Sequence, residues 1–110
     1  MIPLESKWDL VKVGTVVDGV ENLTDPPQNA SGCRKDYLDL KLDNTATMGD
    51  YDSTISACAL TETKGIYSRS HNDLTISISG TTQVSDIMNL TNKELKLKNK
   101  ATGVISVYSR

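Results

Sequence analysis

A chain of 110 residues is long enough for one domain, 1–110, with a single hydrophobic core. Twelve Lys and Arg against fourteen Asp and Glu leave a formal net charge of -2, which excludes attraction to nucleic acid or anionic lipid by counterion release. Phenylalanine is absent while Ser, Thr and Asn abound, a composition that favours strands and turns over helices.

The first strand is predicted over Trp8 to Val13, with Trp8 and Leu10 on one face and Asp9, Val11 and Val13 on the other. A strand apolar on both sides asks for cover on both sides. From Val16 to Gly32 the breakers Asp18-Gly19, Asp25-Pro26-Pro27 and Asn29-Ala30-Ser31-Gly32 predict a long loop without regular structure. Its Val16, Val17, Val20 and Leu23 would fold over the outer face of the first strand.

Lys35 to Leu42 alternates cleanly, placing Leu38, Leu40 and Leu42 on one face and Tyr37, Asp39 and Lys41 on the other. Asp43-Asn44 turns it into Thr45 to Met48 as a hairpin, and Gly49 to Ser53 leads away through a loop to Cys58. Leu60 to Ser70 resumes the pattern, with Gly65 marking a bulge or the close approach of another backbone. After a turn at His71-Asn72-Asp73, Leu74 to Ile78 alternates, and Gly80 turns the chain into Thr81 to Leu90, where Val84, Met88 and Leu90 share one parity. Thr91-Asn92-Lys93 precedes a strict alternation over Glu94 to Lys98, and Asn99 to Gly103 precedes the last strand, Val104 to Tyr108.

These eight strands, joined mostly by short turns, predict an all-β, antiparallel up-and-down meander. Closing it into a small barrel pairs the last strand with the first and removes the open edges. Val11 and Val13 with Ile105 and Val107 would then form one outer patch under the long loop; the rival architecture is an open sandwich with an exposed apolar edge. The inward set on this reading is Trp8, Leu10, Leu38, Leu40, Leu42, Met48, Tyr67, Leu74, Ile76, Ile78, Val84, Met88, Leu95 and Leu97. An eight-stranded barrel is either filled by such side chains or left with room for one small ligand.

The sequence carries no catalytic, cofactor or nucleic-acid motif, so a non-enzyme without cofactor or metal is expected. His71, the single histidine, sits in a turn signal, and no Gly-x-Ser-x-Gly elbow selects a nucleophile. Asp43, Asp50 and Asp52 read as solvated turn residues, since their spacing fits no EF-hand loop. Cys33 and Cys58 are the whole thiol inventory; a pair in a small, loop-rich chain reads as the disulfide of an exported protein, with two buried structural thiols as the alternative. No apolar run approaches the roughly 20 residues of a transmembrane helix, and Met1-Ile2-Pro3 reads as a start following a removed export signal.

Leu4 to Val13 with its Lys7-Trp8, Cys33-Arg34-Lys35-Asp36-Tyr37-Leu38, the Asp43-Asn44-Thr45 turn, Cys58, Gly65-Ile66-Tyr67, Asn72 to Ile76 and Leu90 to Leu97 together resemble the lipocalin-like domain of exported Bacteroidetes lipoproteins. The chain departs from the lipocalin pattern at Ser6, where glycine is usual, and at Tyr67, where a second Gly-x-Trp would end in tryptophan. The resemblance implies a calyx-like barrel, export to the periplasm or cell surface, and a lipid anchor on the full-length protein. It also implies that a basic residue near the end of the barrel packs on the first-strand tryptophan; Arg110 against Trp8 would fill that part, the alternative being a frayed terminus.

Two functions follow as expectations. One is a module binding a small apolar ligand in the barrel, lined by Trp8, Leu40, Met48, Tyr67, Ile76 and Met88. The other is a cell-envelope interaction or structural module with a filled core, contacting protein or glycan through Val16 to Gly32 and Asp50 to Ala57.

Overall fold

A computed structural model of the chain describes residues 3–26, 34–51 and 58–110; among these, nine strands and no helix are found. They are β1 (Ser6–Val17), β2 (Val20–Thr24), β3 (Tyr37–Leu40), β4 (Thr45–Tyr51), β5 (Leu60–Ser70), β6 (Asp73–Ile78), β7 (Thr81–Leu90), β8 (Glu94–Asn99) and β9 (Ile105–Ser109). All pairings are antiparallel, and each strand from β3 to β8 pairs with its successor. The ring closes on β1, where Asp9 lies opposite Tyr37 of β3 on one edge and Ser109 of β9 on the other. Eight strands therefore make a closed up-and-down barrel as predicted, and the open sandwich is excluded.

The ninth strand corrects the reading of Val16 to Gly32. Asp18 and Gly19 adopt φ of 51° and 78°, the geometry of a two-residue hairpin turn whose twist matches the flanking strands. β1 accordingly runs on to Val17 and pairs with β2 from Val13↔Thr24 to Val17↔Val20. Asp18-Gly19 marks the turn of a hairpin rather than an unstructured stretch. Residues 27–33 lie outside the described residues.

This hairpin lies across the outside of the barrel. Glu21 on β2 pairs with Lys96 on β8, and β8 is reached from β1 only across β9. Ile105 and Val107 point outward from β9 by alternation, yet are 0% and 6% exposed, as expected of residues under such a strap. Lys12 and Asp25, 2.6 Å apart, tie its far end. Val13 is not part of that outer patch. The ladder between β1 and β9 slips between Leu10 and Lys12, so Val11 is the extra residue of a β-bulge and every later side chain of β1 changes face. Val13 thus turns in against the core.

Three inward assignments fail as well, those of Leu42, Met88 and Val84. Leu42 is 84% exposed, because β3 ends at Leu40 and Leu42 rides on the turn closed by Asn44 N–H to the Lys41 carbonyl, 3.0 Å. Asp43 stabilises that turn by accepting from the Thr45 backbone N–H (3.1 Å) and hydroxyl (2.6 Å). On β7 a second bulge, between Ile87 and Asn89, makes Met88 the extra residue, 43% exposed. Ile87 and Leu90 pack against the core instead, and Val84 takes the outward parity. Gly65 performs the role expected of it: a Cβ there would lie 2.0 Å from the Ser77 carbonyl oxygen.

The core fills the end of the barrel where the N-terminus enters. Trp8, Ala46, Leu74 and Leu95 are wholly buried there, with Leu4, Leu38 and Leu40 nearly so. Arg110 seals this end. Its guanidinium carbon sits 4.2 Å above the Trp8 ring, while its nitrogens donate to the carbonyls of Asn92 (2.8 Å) and Pro3 (3.1 Å). The implied cation–π contact is present, and the last residue joins both chain ends to the β7–β8 turn.

Candidate functional site

At the opposite end the inward side chains become smaller and more polar, and the barrel stays open. Leu38 of β3, Met48 of β4, Ile76 and Ile78 of β6, and Leu97 of β8 form an apolar wall. Thr81, Gln83 and Ser85 of β7, Asn99 of β8 and Ser106 of β9 face it with hydroxyls and amides. The ladders set this division: Ile76 lies opposite Gln83, Ile78 opposite Thr81, and Ser85 opposite Asn99. The space enclosed is about 390 Å³. A second lobe of about 330 Å³ adjoins it through Met48, Val104, Ser106 and Tyr108, and reaches Leu10, Val13, Asp36 and Asp50.

This mouth is open because the sequence supplies no large plug. Phenylalanine is absent and the only tryptophan is spent at the floor. At the base of both lobes Tyr108 is buried, and burial pushes its phenol up to about 12, partly offset by a hydrogen bond with Ser106. Asp36 also titrates above the ordinary carboxylate range. Burial is the main cause, opposed by the Tyr51 backbone N–H that its carboxylate accepts at 2.9 Å and reinforced by the neighbouring Asp50. Every buried side-chain nitrogen or oxygen among the described residues has a partner.

Outside the barrel, Tyr37 covers Gly49, where a Cβ would fall 2.1 Å from its ring. Its hydroxyl bonds to Glu62, which raises the phenol to about 12 with help from burial. Lys7 lies 4.3 Å from the ring centroid. This cluster braces the β3–β4–β5 wall from outside.

Of the residues predicted to line a ligand site, Met48 and Ile76 face the cavity. Trp8, Leu40 and Tyr67 belong to the packed floor, where the Trp8 indole N–H donates to the Leu4 carbonyl (2.8 Å) and the Tyr67 hydroxyl to the Lys41 carbonyl (2.7 Å). Met88 is on the outside at its bulge. Cys33 lies outside the described residues, as does Asp52; no cluster of three or more His, Cys, Asp or Glu suited to a metal occurs among the described ones.

Hydropathy missed the polar wall because the one apolar residue from Thr81 to Ser85, Val84, lies on the outward parity. The turn could have revealed it. Residues flanking a two-residue hairpin turn share a face, so an inward Ile78 before Ser79-Gly80 requires an inward Thr81, and hence Gln83, Ser85 and Ile87.

Comparison with known proteins follows the same architecture. Residues 4–97 match the family model described as a lipocalin-like domain. A lipocalin-like protein from Bacteroides uniformis superposes with a TM-score of 0.71 at 15% identity, over 97% of each chain. An uncharacterized protein from Bacteroides eggerthii superposes at 0.70 and 11% identity, over 98% of this chain and 99% of that one. No curated protein matches the sequence.

Proposed function

Because this chain belongs to the lipocalin-like domain family, we propose that it is a non-catalytic binding module that holds one small, largely apolar ligand in the mouth of its barrel. The observation that carries this reading is a cavity of about 390 Å³ above a sealed floor, within the size range of ligand sites, with one apolar wall and a few convergent polar groups. Export to the periplasm or cell surface, with a lipid anchor on the full-length protein, is part of the same reading. It is supported by a Cys33–Cys58 bridge, which we infer because Cys58 is not a free thiol and Cys33 is its one potential partner in the sequence. Such a bridge closes a loop of about 25 residues and adds roughly 3 kcal/mol. Thiol labelling of unreduced protein should find none.

The test is titration with the neutral fluorophore N-phenyl-1-naphthylamine. Saturable enhancement is expected for the native protein and its loss for Ser85→Trp, whose indole fills the cavity, with the far-ultraviolet spectrum unchanged. No saturable enhancement, or enhancement indifferent to Ser85→Trp, overturns the proposal.

One observation favours a second reading, an envelope interaction module. Val16, Val17 and Val20 at the hairpin tip are 40%, 52% and 62% exposed. On that reading Val17→Asp abolishes capture of an envelope protein or glycan while leaving the fluorophore titration intact.

A further inference from the structure

The two lobes of the mouth differ in what they offer a ligand. The first is uncharged: its polar groups are the hydroxyls of Thr81, Ser85 and Ser106 and the amides of Gln83 and Asn99. Among the described residues, the second holds the only ionisable groups lining the cavity apart from tyrosine, Asp36 and Asp50, and both are acids. Among the described residues no Lys, Arg or His lines either lobe. The bases closest in sequence face elsewhere. Arg34 and Lys35 line a separate hollow with Lys7, Asp9 and Tyr51, and Lys100 is held between Asp73 and Asp86 at 3.0 and 3.2 Å. The stretches 27–33 and 52–57 contain no base either; their single ionisable side chain besides Cys33 is Asp52.

A partly enclosed, low-dielectric space with one sign of charge discriminates by sign more strongly than an exposed surface does. A carboxylate entering this cavity would lose its hydration and meet only acids and neutral groups. A protonated amine would exchange its hydration for charge-assisted hydrogen bonds.

Resting on the proposed binding function, we infer that the cavity selects an amphiphile with a cationic amine end, seated at Asp36 and Asp50 in the second lobe while its apolar body lies along Leu38, Ile76 and Ile78 in the first. The carboxylates alone would be an ordinary acidic surface; the adjoining apolar lobe makes them one end of a site.

The experiment compares three ligands of equal chain length, octylamine, octanol and octanoate, by titration calorimetry at pH 7. The expected order is octylamine tightest, octanol next and octanoate weakest, with about tenfold or more between the two ions, equivalent to ~1.4 kcal/mol. Asp50→Asn should weaken octylamine about fivefold or more, since it removes a charge-assisted partner, and leave octanol within about twofold, which also certifies that the variant is folded. Octanoate binding as tightly as octylamine overturns the inference, as does an amine preference that survives Asp50→Asn. Octanol binding without any amine preference overturns the inference and leaves the binding function standing, whereas failure of all three ligands removes both.

Discussion

Replacing Arg110 with alanine should weaken the barrel at its closed end by about 1 to 2 kcal/mol, although the residue is the last in the chain. The guanidinium stacks 4.2 Å above the Trp8 ring, a cation–π contact of about 0.5 to 1 kcal/mol near the surface. Its bonds to the Asn92 and Pro3 carbonyls are open to water, so together they add about 0.5 to 1 kcal/mol. Urea unfolding should show an unchanged slope and a midpoint lower by about 0.5 to 1 M for a slope near 2 kcal/mol/M. Coupling to the ring is tested by a double-mutant cycle with Trp8→Phe, which keeps an aromatic face of weaker quadrupole; a coupling energy of about 0.5 kcal/mol is expected. A loss below about 0.3 kcal/mol in Arg110→Ala, or strict additivity with Trp8→Phe, would refute this account of the seal.

Three further outcomes follow from the same packing. Gly65→Ala drives a methyl to 2.0 Å from the Ser77 carbonyl oxygen, where only backbone can yield, so a loss of about 2 to 4 kcal/mol is expected in thermal unfolding; an unchanged melting temperature contradicts the close approach. Leu42→Ser should change stability by less than about 0.5 kcal/mol, because Leu42 is 84% exposed; a core leucine would instead cost about 2 to 5 kcal/mol. Tyr37 and Tyr108 are both raised to about 12, above their value near 10 in the unfolded chain. Their neutral forms therefore favour the fold fully below pH 10, and that contribution is lost as pH rises from about 10 to 12. Absorbance titration of tyrosinate should show Tyr37 and Tyr108 ionising late, and ionisation of these two near pH 10 would contradict it.

Much of the barrel was legible because its strands obey a period of two: Leu38 and Leu40, Leu74 and Ile76, and Leu95 and Leu97 all face inward as read. What escaped was set by single residues that break the period. One extra residue at Val11 turned Val13 inward, and one at Met88 sent that methionine outside and brought in Ile87 and Leu90. Hydropathy has no term for a bulge, since the change of face comes from pairing with the neighbouring strand. Leu42 escaped because alternation was carried into a turn. The site was harder to see than the core for a related reason: on β7 the apolar residue Val84 faces outward and the polar Thr81, Gln83 and Ser85 face inward, whereas the predicted residues Trp8, Leu40 and Tyr67 are apolar because they fill the floor. The long hairpin was hidden by reading Asp18-Gly19 as a break in structure, when that pair is also the signal for a strand to reverse and continue.

The claim on which the functional account turns is that the mouth of the barrel, and no outer surface, receives the ligand. Methyl-labelled protein titrated with octanol tests it, because Met48 faces the cavity and Met88 stands outside. The account predicts saturable shifts of the Met48, Ile76 and Ile78 methyls with Met88 and Ile66 unmoved. Shifts at Met88 or Ile66 with a silent Met48, or no saturable shift at any of them, would contradict it.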